Sequence, residues 1–439
     1  MSAGAFAKGS FTWLFGVEDT CVYPADGGRP PLDEHELTGH NESWRADLTL
    51  ARDLGATSLR YGVSWPLVHT APNEFNWLLL DEVLAFAVDE LGLTIVADLV
   101  HYGTPRWLPL SFADPGYPAA IEAFAGAFAE RYRGRVTHFT PLNEPVTTAS
   151  FCGLRGIWPP YLTDWEGWVT VAVPMALGMS RSIAAIRAAQ PRATIVHVEA
   201  ATLVSTNDPA LDTHAELLRG VGWLPTDLLL GRVDRSHPMW GWLLDEGAAV
   251  ADLEWLLAHP QVPDILGVNY YPDLTPRRLT RINGATAQVS HNGWSIGLAE
   301  AVRRFADRYA LPIVVTETSV EGDDTLREQW LHDSARELRG LRAAGLDIRG
   351  YTWWPLFDFV DWSWDAGGSN VEEFAVEQVD AGGSTLIAPA PPLGDPAEGK
   401  NAFLRRMGLV RLEERYDGTL ERVVTPAAAE YTRLAGEPE

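Results

Sequence analysis

Eight short apolar segments alternate with longer helical segments along the whole chain, and this alternation is the strongest constraint on its fold. Parallel strands covered by helices on both faces are apolar throughout, and each parallel crossover needs a dozen or more residues. The predicted strands are Phe11–Val17, Thr57–Ser64, Leu93–Val100, Val136–Asn143, Thr194–Glu199, Ile265–Tyr270, Ile313–Glu317 and Gly350–Trp354. The predicted helices are Ser43–Leu54, Leu78–Leu91, Pro118–Tyr132, Trp165–Ala189, Ala210–Gly220 with Leu243–Leu257, Ser295–Tyr309 and Thr325–Ala344.

This pattern predicts an α/β fold in which residues 1–439 form a single (β/α)8 barrel of the TIM type, with its site at the C-terminal mouth of the strands. A doubly wound open sheet is the alternative, but the chain has no G-x-G-x-x-G after its first strand and no P-loop. The Gly-, Pro- and Ala-rich stretch Ala381–Gly399 is predicted to be a mobile loop at the barrel mouth. After it we expect a short strand, a turn at Asp417-Gly418 and a closing helix.

Charge and composition narrow the class of function. The chain carries 34 basic and 59 acidic residues, a net charge of −25, which disfavours nucleic acid and membrane partners and favours a neutral small-molecule substrate. With no uninterrupted apolar span and no secretory signal pattern, we expect a cytoplasmic protein. Cys21 and Cys152 give no metal-binding spacing, so neither a metal nor a cofactor is expected, and association into a homo-oligomer is left open.

Two predicted strands end in a glutamate. In the segment VTHFTPLNEP, Pro145 stops the strand and leaves Asn143 and Glu144 at its C-terminal end. In LPIVVTETS, Glu317 follows an apolar run. Two carboxylates at one barrel mouth suit the hydrolysis of a glycosidic bond. The chain also has 18 Trp, whose indole faces stack on the C–H faces of sugars, and this favours a carbohydrate site.

Seven motifs occur in the order typical of one enzyme family. They are RYGVSWP at 60–66, HYGTPRWL at 101–108, TPLNEP at 140–145, LGVNYYP at 266–272, VVTETS at 314–319, YTWWPLFDFVDW at 351–362 and GLVRLE at 408–413. Together they resemble the motifs of glycoside hydrolase family 1, the β-glucosidase-like retaining β-glycosidases that are built on a (β/α)8 barrel. Seven ordered matches are far more specific than any one of them.

This resemblance implies a role for each matched residue. Glu144 would be the catalytic acid/base and Glu317 the nucleophile, with Arg60 and Tyr271 hydrogen-bonded to the nucleophile. Asn143 would bind the 2-hydroxyl of the sugar. The other implied substrate-binding residues are His101 and Tyr271 around the glycone, Trp354 beneath it, Asp361 and Trp362 at its outer hydroxyls, and Glu18 at the end of the first strand.

Four positions depart from the family pattern. Glu18 stands where a Gln is usual, Tyr102 where Trp is frequent, Asp361 where a longer Glu is common, and Thr318-Ser319 where Asn-Gly is usual. A pentoside, furanoside, deoxysugar or oligosaccharide glycone therefore stays open beside glucose. The alternatives to hydrolysis are a transglycosidase with the same residues and a catalytically silent sugar-binding barrel. A further alternative is an inverting or clan-related barrel enzyme such as a cellulase-like endo-hydrolase.

Overall fold

Eight parallel strands close into a barrel in the computed structural model, which describes residues 5–24, 29–371, 374–379, 385–389 and 394–437. The strands follow one another around the barrel in chain order, and the first pairs with the last. This confirms the predicted (β/α)8 fold. The barrel strands are β1 Thr12–Val17, β2 Ser58–Gly62, β3 Thr94–Asp98, β4 His138–Thr140, β5 Thr194–Ala200, β6 Ile265–Asn269, β7 Ile313–Thr318 and β8 Ile348–Trp353.

One long helix follows each barrel strand, as right-handed βα units require. These helices are α1 His40–Asp53, α2 Leu78–Ala85, α3 Tyr117–Arg131, α4 Asp164–Ala189, α5 Asp212–Leu229, α6 Trp294–Tyr309, α7 Asp324–Ala343 and α8 Pro426–Ala435. Most begin and end within about three residues of the predicted bounds. Shorter helical segments are Glu34–Leu37, Trp65–Val68, Phe86–Glu90, Ser111–Ala113, Pro145–Ala149, Ser150–Leu154, Pro209–Leu211, Trp240–Asp245, Val250–Ala258, Trp362–Trp364, Pro396–Glu398 and Lys400–Phe403.

The barrel interior changes in character from bottom to top. Its lower part is filled by one small apolar cluster: Phe6, Leu14, Val96, Val196, Val198, Ile265 and Val314. A much larger apolar cluster lies between the strands and the surrounding helices. Because the strands are buried on both faces, their apolar runs carry no period-two alternation. Glu144, Glu317 and Trp354 lie at the carboxyl ends of their strands, and these ends form the barrel mouth.

Helix α4 is, within the described residues, the only helix long and apolar enough to cross a membrane by length and composition alone. However, 67% of its most apolar window is buried inside the structure. Trp168, Met175 and Ile183 are among its fully packed side chains. A core helix has this same composition, and its apolar residues are accounted for here by packing.

A second sheet lies beside the barrel, and the sequence pattern did not indicate it. Its strands, in spatial order, are Leu203–Thr206, Pro276–Ile282, Ala285–Ser290, Ala375–Val379 and Thr385–Pro389. The predicted loop Ala381–Gly399 therefore differs from the structure at residues 385–389, which form an edge strand. Residues 385–389 pair with the strand Ala375–Val379, whereas the Gly, Pro and Ala residues around them had favoured a loop. Residues 381–384 and 390–393 of that loop lie outside the described residues.

Four short two-stranded sheets complete the structure. They pair Cys21–Val22 with Leu32–Asp33, His69–Ala71 with Glu74–Phe75, Phe359–Val360 with Leu404–Arg405, and Val410–Glu414 with Leu420–Val424. The last pair encloses the predicted Asp417-Gly418 turn and leads into α8.

Candidate active site

Glu144 lies where the chain leaves β4 and enters the helix Pro145–Ala149. Its backbone has φ 43° and ψ 69°, in the left-handed region that non-glycine residues rarely adopt. Such a conformation costs on the order of 1–3 kcal/mol and persists where the surroundings impose it, often at functional sites. The side chain is only 6% exposed. The strained turn thus directs a nearly buried carboxylate into the barrel mouth.

Two neutral groups donate hydrogen bonds to the Glu144 carboxylate. The hydroxyl of Tyr102 donates to Oε2 at 2.6 Å, and the side-chain amide of Asn269 donates to Oε1 at 2.8 Å. The hydroxyl of Thr316 donates to Oδ1 of Asn269 at 2.7 Å, which turns the amide nitrogen toward Glu144. Glu144 is therefore fixed in orientation by uncharged partners.

Glu317, on β7, has a cationic partner instead. Nη1 of Arg60 donates to its Oε1 at 2.8 Å, and the hydroxyl of Tyr271 donates to its Oε2 at 2.8 Å. The structure thus places Arg60 and Tyr271 at hydrogen-bonding distance from Glu317, as the sequence assignment expected. The two glutamates differ in charge environment, although both lie in the same mouth.

Arg60 is shared between several acidic groups beneath the pocket. Its guanidinium lies 2.5 Å from Oε1 of Glu18 and 3.4 Å from Oδ2 of Asp98, and it donates to Oδ1 of Asn143 at 3.1 Å. Burial raises the pKa of Glu18 well above its usual range, against the lowering effect of Arg60. The nearby charge of Glu317 raises that pKa further. One buried cation therefore compensates three buried carboxylates.

The pKa of Glu317 reflects the same competition. Burial raises the pKa of Glu317 to about 7, and the charge of Glu144 acts in the same direction. Arg60 and His101 lower it. The desolvation of the carboxylate thus outweighs the attraction of its cationic neighbours, so the group titrates near neutral pH.

A deep pocket with an empty volume of about 500 Å³ brings most of the assigned residues together. Of the residues assigned from sequence, those that line it are Glu144, Glu317, Tyr271, Trp354, Asp361 and Trp362. The ring nitrogen of Trp362 is buried and has no hydrogen-bond partner among the described residues, so it can donate to a ligand. This pocket is suited to hold one sugar ring.

Three residues assigned to substrate binding lie behind the pocket wall. Glu18 is turned toward Arg60, because the guanidinium attracts its carboxylate. The uncharged amide of a Gln at this position would not be attracted in the same way. Asn143 is fully buried and contacts Tyr102, Arg60 and Nε2 of His101, the last at 3.2 Å. His101 in turn contacts Oδ2 of Asp98 at 2.8 Å. In the structure these three side chains contact the residues that line the pocket.

Asp361 lines the pocket but is held by its neighbours. Its Oδ2 accepts from Arg405 at 2.9 Å, and its Oδ1 accepts from the backbone nitrogen of Ser363 at 2.9 Å. Arg405 also donates to Glu321 at 2.9 Å. The short carboxylate is thereby fixed at the side of the pocket formed by the Phe359–Val360 and Leu404–Arg405 strands.

A wider cleft with an empty volume of about 1130 Å³ joins the deep pocket. Glu144, Tyr271, Leu274 and Trp362 line both. The outer walls of the cleft are mainly apolar and include Phe151, Leu154, Trp165, Trp168, Leu203, Val221 and Phe374. Because Glu144 stands at the junction, a ligand can extend from the deep pocket past this carboxylate into the cleft.

The sequence assignments omitted several residues of the pocket. The omitted lining residues are Tyr102, Leu274, Phe359, Arg405 and Met407. Asn269, which donates to Glu144, was also omitted. Three of these residues lie inside the seven motifs: Tyr102, Asn269 and Phe359. Their position in the motifs could have identified them as site residues. Their hydrogen-bond partners could not be predicted, because these depend on side-chain directions. Arg405 and Met407 precede the GLVRLE motif and reach the pocket only because the Leu404–Arg405 strand pairs with Phe359–Val360. In the described part of the chain, no group of three or more His, Cys, Asp or Glu could hold a metal ion.

The chain is related in sequence to several β-glucosidases. It is 24% identical to the bifunctional β-D-glucosidase/β-D-fucosidase of Bifidobacterium breve, over 82% of this chain and 90% of the relative. It is 23% identical to the aryl-phospho-β-D-glucosidase BglC of Bacillus subtilis, over 74% of this chain and 78% of the relative. No protein-family profile matches the chain.

Among solved structures, the chain is similar to the family 1 β-glucosidase of Thermotoga maritima. The TM-score is 0.73, the sequence identity is 16%, and 98% of each chain is covered. At this identity the similarity establishes the fold. With the sequence relatives, it confirms the resemblance that the seven motifs indicated.

Proposed function

We propose that this chain, a glycoside hydrolase related to the family 1 β-glucosidases, is a retaining β-glycosidase that releases a neutral sugar. The observation that carries this proposal is the pair of buried glutamates with unlike partners. Glu317 contacts the cation Arg60, whereas Glu144 accepts hydrogen bonds from neutral donors. A glycosidase of either stereochemical course needs one carboxylate that reacts ionised and another that exchanges a proton, and the resemblance to the family 1 β-glucosidases favours the retaining course.

The hydrogen-bond partners support a different role for each glutamate. Arg60 favours the ionised form of Glu317, which suits attack on the anomeric carbon, and Tyr271 orients the attacking carboxylate. Glu144 stands at the junction with the wider cleft, where the leaving group would lie. In the first step Glu144 protonates the departing oxygen while Glu317 forms the glycosyl ester. In the second step Glu144 removes a proton from water, which displaces Glu317.

The pocket supports a sugar ring as the glycone. Trp354 offers an indole face, and the free N–H of Trp362 offers a donor for a hydroxyl. The Bifidobacterium relative is named for both a glucoside and a fucoside activity, which supports testing glycones with and without a hydroxyl on carbon 6. The apolar wide cleft favours an aglycone with substantial apolar surface.

The proposal is tested with a panel of aryl β-glycosides, including pentosides, furanosides and deoxyglycosides, with chromophore release as the signal. For the best substrate, proton NMR of the first-formed product should show the β-anomer. An α-anomer formed first would show inversion and contradict the two-step mechanism. A protein that binds sugars without turnover of any glycoside would be the silent barrel instead.

Azide tests the role of Glu144. In Glu144→Ala, azide should restore turnover of an activated aryl glycoside and give the β-glycosyl azide, because the small anion then attacks without needing a base. The matched control is Glu300→Ala, which changes an exposed glutamate paired with Arg304 and should leave turnover unaffected by azide. Absence of azide rescue in Glu144→Ala would assign the acid/base role to another group.

The pH dependence should report the ionisation of Glu317. Because burial raises its pKa to about 7 and only the carboxylate attacks, kcat/KM should rise about tenfold per pH unit below that value and level off above it. A 2,4-dinitrophenyl glycoside is the best substrate, since its leaving group needs no proton and the profile then reports the nucleophile alone. A profile that is flat down to pH 5 would contradict the raised pKa.

A further inference from the structure

The hydroxyl of Tyr102 lies at hydrogen-bonding distance from two groups that a sugar hydroxyl would otherwise contact. We propose that it takes the place of the substrate hydroxyl on carbon 2, and that the enzyme therefore favours glycones that lack this hydroxyl. This inference rests on the proposed function, because it requires Glu317 to attack the anomeric carbon. It names the class of substrate as β-glycosides of 2-deoxy sugars.

The contacts of Tyr102 are those of a bound hydroxyl group. Its oxygen donates to Oε2 of Glu144 at 2.6 Å and accepts from Nδ2 of Asn143 at 3.1 Å. A hydroxyl has one donor and two acceptor positions, so a sugar hydroxyl at this point would make the same pair of bonds. The phenol thus stands where a ligand hydroxyl would complete the site.

The position of Asn143 identifies which hydroxyl is replaced. Its Oδ1 accepts from Arg60, and Arg60 donates to Glu317, the attacking group. Through Tyr102 it is also linked to Glu144. Asn143 is thus a neutral side chain connected to both carboxylates that act at the anomeric carbon, and the substituent nearest to that carbon is the hydroxyl on carbon 2.

Asn143 has no free N–H donor left for a substrate. Its amide nitrogen contacts the Tyr102 hydroxyl at 3.1 Å and Nε2 of His101 at 3.2 Å, and its oxygen accepts from Arg60. The amide has two N–H donors: one donates to Tyr102, and the other faces Nε2 of His101, which accepts it when the imidazole is neutral. A sugar hydroxyl that entered this position would displace Tyr102 or remain unpaired, and an unpaired buried hydroxyl weakens binding.

Packing holds Tyr102 in place. Its ring stacks on Trp158 with centroids 5.0 Å apart and meets Trp362 edge-on at 5.5 Å. Its backbone has φ 69°, a conformation that a bulky residue adopts only where the structure imposes it. Because the side chain is 3% exposed, moving it away would break these ring contacts. The hydroxyl is therefore a fixed part of the pocket.

This arrangement changes which substrates are favoured. In retaining glycosidases, hydrogen bonds to the 2-hydroxyl strengthen in the transition state and accelerate the reaction. Here Asn143 makes its bond to Tyr102, so a 2-hydroxy substrate gains nothing from it. A 2-deoxy substrate loses no interaction and leaves room for the phenol oxygen.

The test compares 4-nitrophenyl β-glucoside with its 2-deoxy analogue in wild type and in Tyr102→Phe. The measured quantity is the ratio of kcat/KM for the 2-deoxy substrate to kcat/KM for the 2-hydroxy substrate. We expect this ratio to be at least about tenfold higher in wild type than in Tyr102→Phe, which frees an Asn143 donor. The difference in intrinsic reactivity between the two sugars is the same for both enzymes, and the loss of the donor to Glu144 affects both substrates. Both effects therefore cancel in this comparison.

Two further variants control the interpretation. Tyr117→Phe removes another buried phenol oxygen, one with no partner among the described residues and away from the pocket, and should leave the ratio at its wild-type value. Asn143→Ala added to Tyr102→Phe should abolish the gain in 2-hydroxy turnover. Equal ratios in wild type and Tyr102→Phe would show that Tyr102 gives way to the sugar, and this would overturn the inference.

Binding decides the same point without turnover. In Glu317→Gln, calorimetry with the two glycosides should give the lower Kd for the 2-deoxy compound, and tighter binding of the 2-hydroxy compound would overturn the inference. If wild type hydrolyses glycosides but prefers the 2-hydroxy series, only this inference fails. If wild type hydrolyses no glycoside of either series, the proposed function fails instead.

Discussion

Replacing Glu317 with glutamine is expected to lower kcat by at least about 10⁴-fold, as the loss of a catalytic nucleophile does in other hydrolases. The variant keeps the shape of the side chain. Its amide oxygen can accept from Arg60, and its amide NH2 can donate to the hydroxyl oxygen of Tyr271. It lacks the negative charge that attacks the anomeric carbon. Turnover of an activated aryl glycoside, measured against wild type at pH 8, checks this result.

The same substitution is expected to stabilise the protein at alkaline pH. The pKa of Glu317 is raised from 4.5 to about 7, so between these values the folded chain binds a proton that the unfolded chain has lost. The contribution of Glu317 to wild-type stability therefore falls as pH rises from 4.5 through 7, by at most on the order of 3 kcal/mol. Glu317→Gln should unfold at a higher temperature than wild type at pH 8, with the difference much reduced at pH 4.5.

Glu300→Gln is the matched control for both measurements, because Glu300 is an exposed helical residue paired with Arg304. It should retain wild-type turnover and wild-type melting temperature at each pH. Turnover by Glu317→Gln within tenfold of wild type would assign the nucleophile to another residue. Lower stability of that variant at pH 8 would show that Arg60 outweighs the burial of the carboxylate.

Replacing Arg60 with methionine is expected to destabilise the fold by about 3–5 kcal/mol, since removal of one partner leaves buried charges uncompensated. Arg60 is 1% exposed and lies against Glu18, Asp98 and Glu317. Methionine fills much of the same volume without the charge. Urea unfolding followed by tryptophan fluorescence measures the change in the unfolding midpoint.

The loss of stability caused by Arg60→Met should depend on pH in a defined direction. Arg60 lowers the raised pKa values of Glu18 and Glu317, so without it both carboxyls hold their protons to higher pH in the folded state. Stability then declines more steeply as pH rises, and the gap between Arg60→Met and wild type should be larger at pH 8 than at pH 5. A deficit that is the same at both values would mean that packing and not charge is lost.

The exposed pair of Arg235 with Glu254 provides the control for this experiment. Both side chains are more than half exposed, at 75% and 53%, so solvent screens their attraction. Arg235→Met should change the free energy of unfolding by less than about 0.5 kcal/mol at either pH. The contrast isolates the effect of burial, because the substitution is the same.

The sequence alone determined the barrel and the two glutamates at its mouth. Apolar runs such as Ile313-Val314-Val315 identify strands buried on both faces, and their regular alternation with helices permits few topologies. Glu144 and Glu317 could be located because each follows directly on its strand, and chain direction places all strand ends on one side of a parallel barrel. These are properties of local pattern and connectivity.

Only the tertiary structure decided the details that govern specificity. The position of Glu18 against Arg60, the bond from Tyr102 to Glu144, and the reach of Arg405 into the pocket depend on side-chain directions across different strands. The accessory sheet likewise forms from segments far apart in the chain, whose pairing partners no local pattern reveals. The physical reason is that strand order follows from connectivity, whereas the electrostatic environment of a buried carboxylate depends on all the groups packed around it.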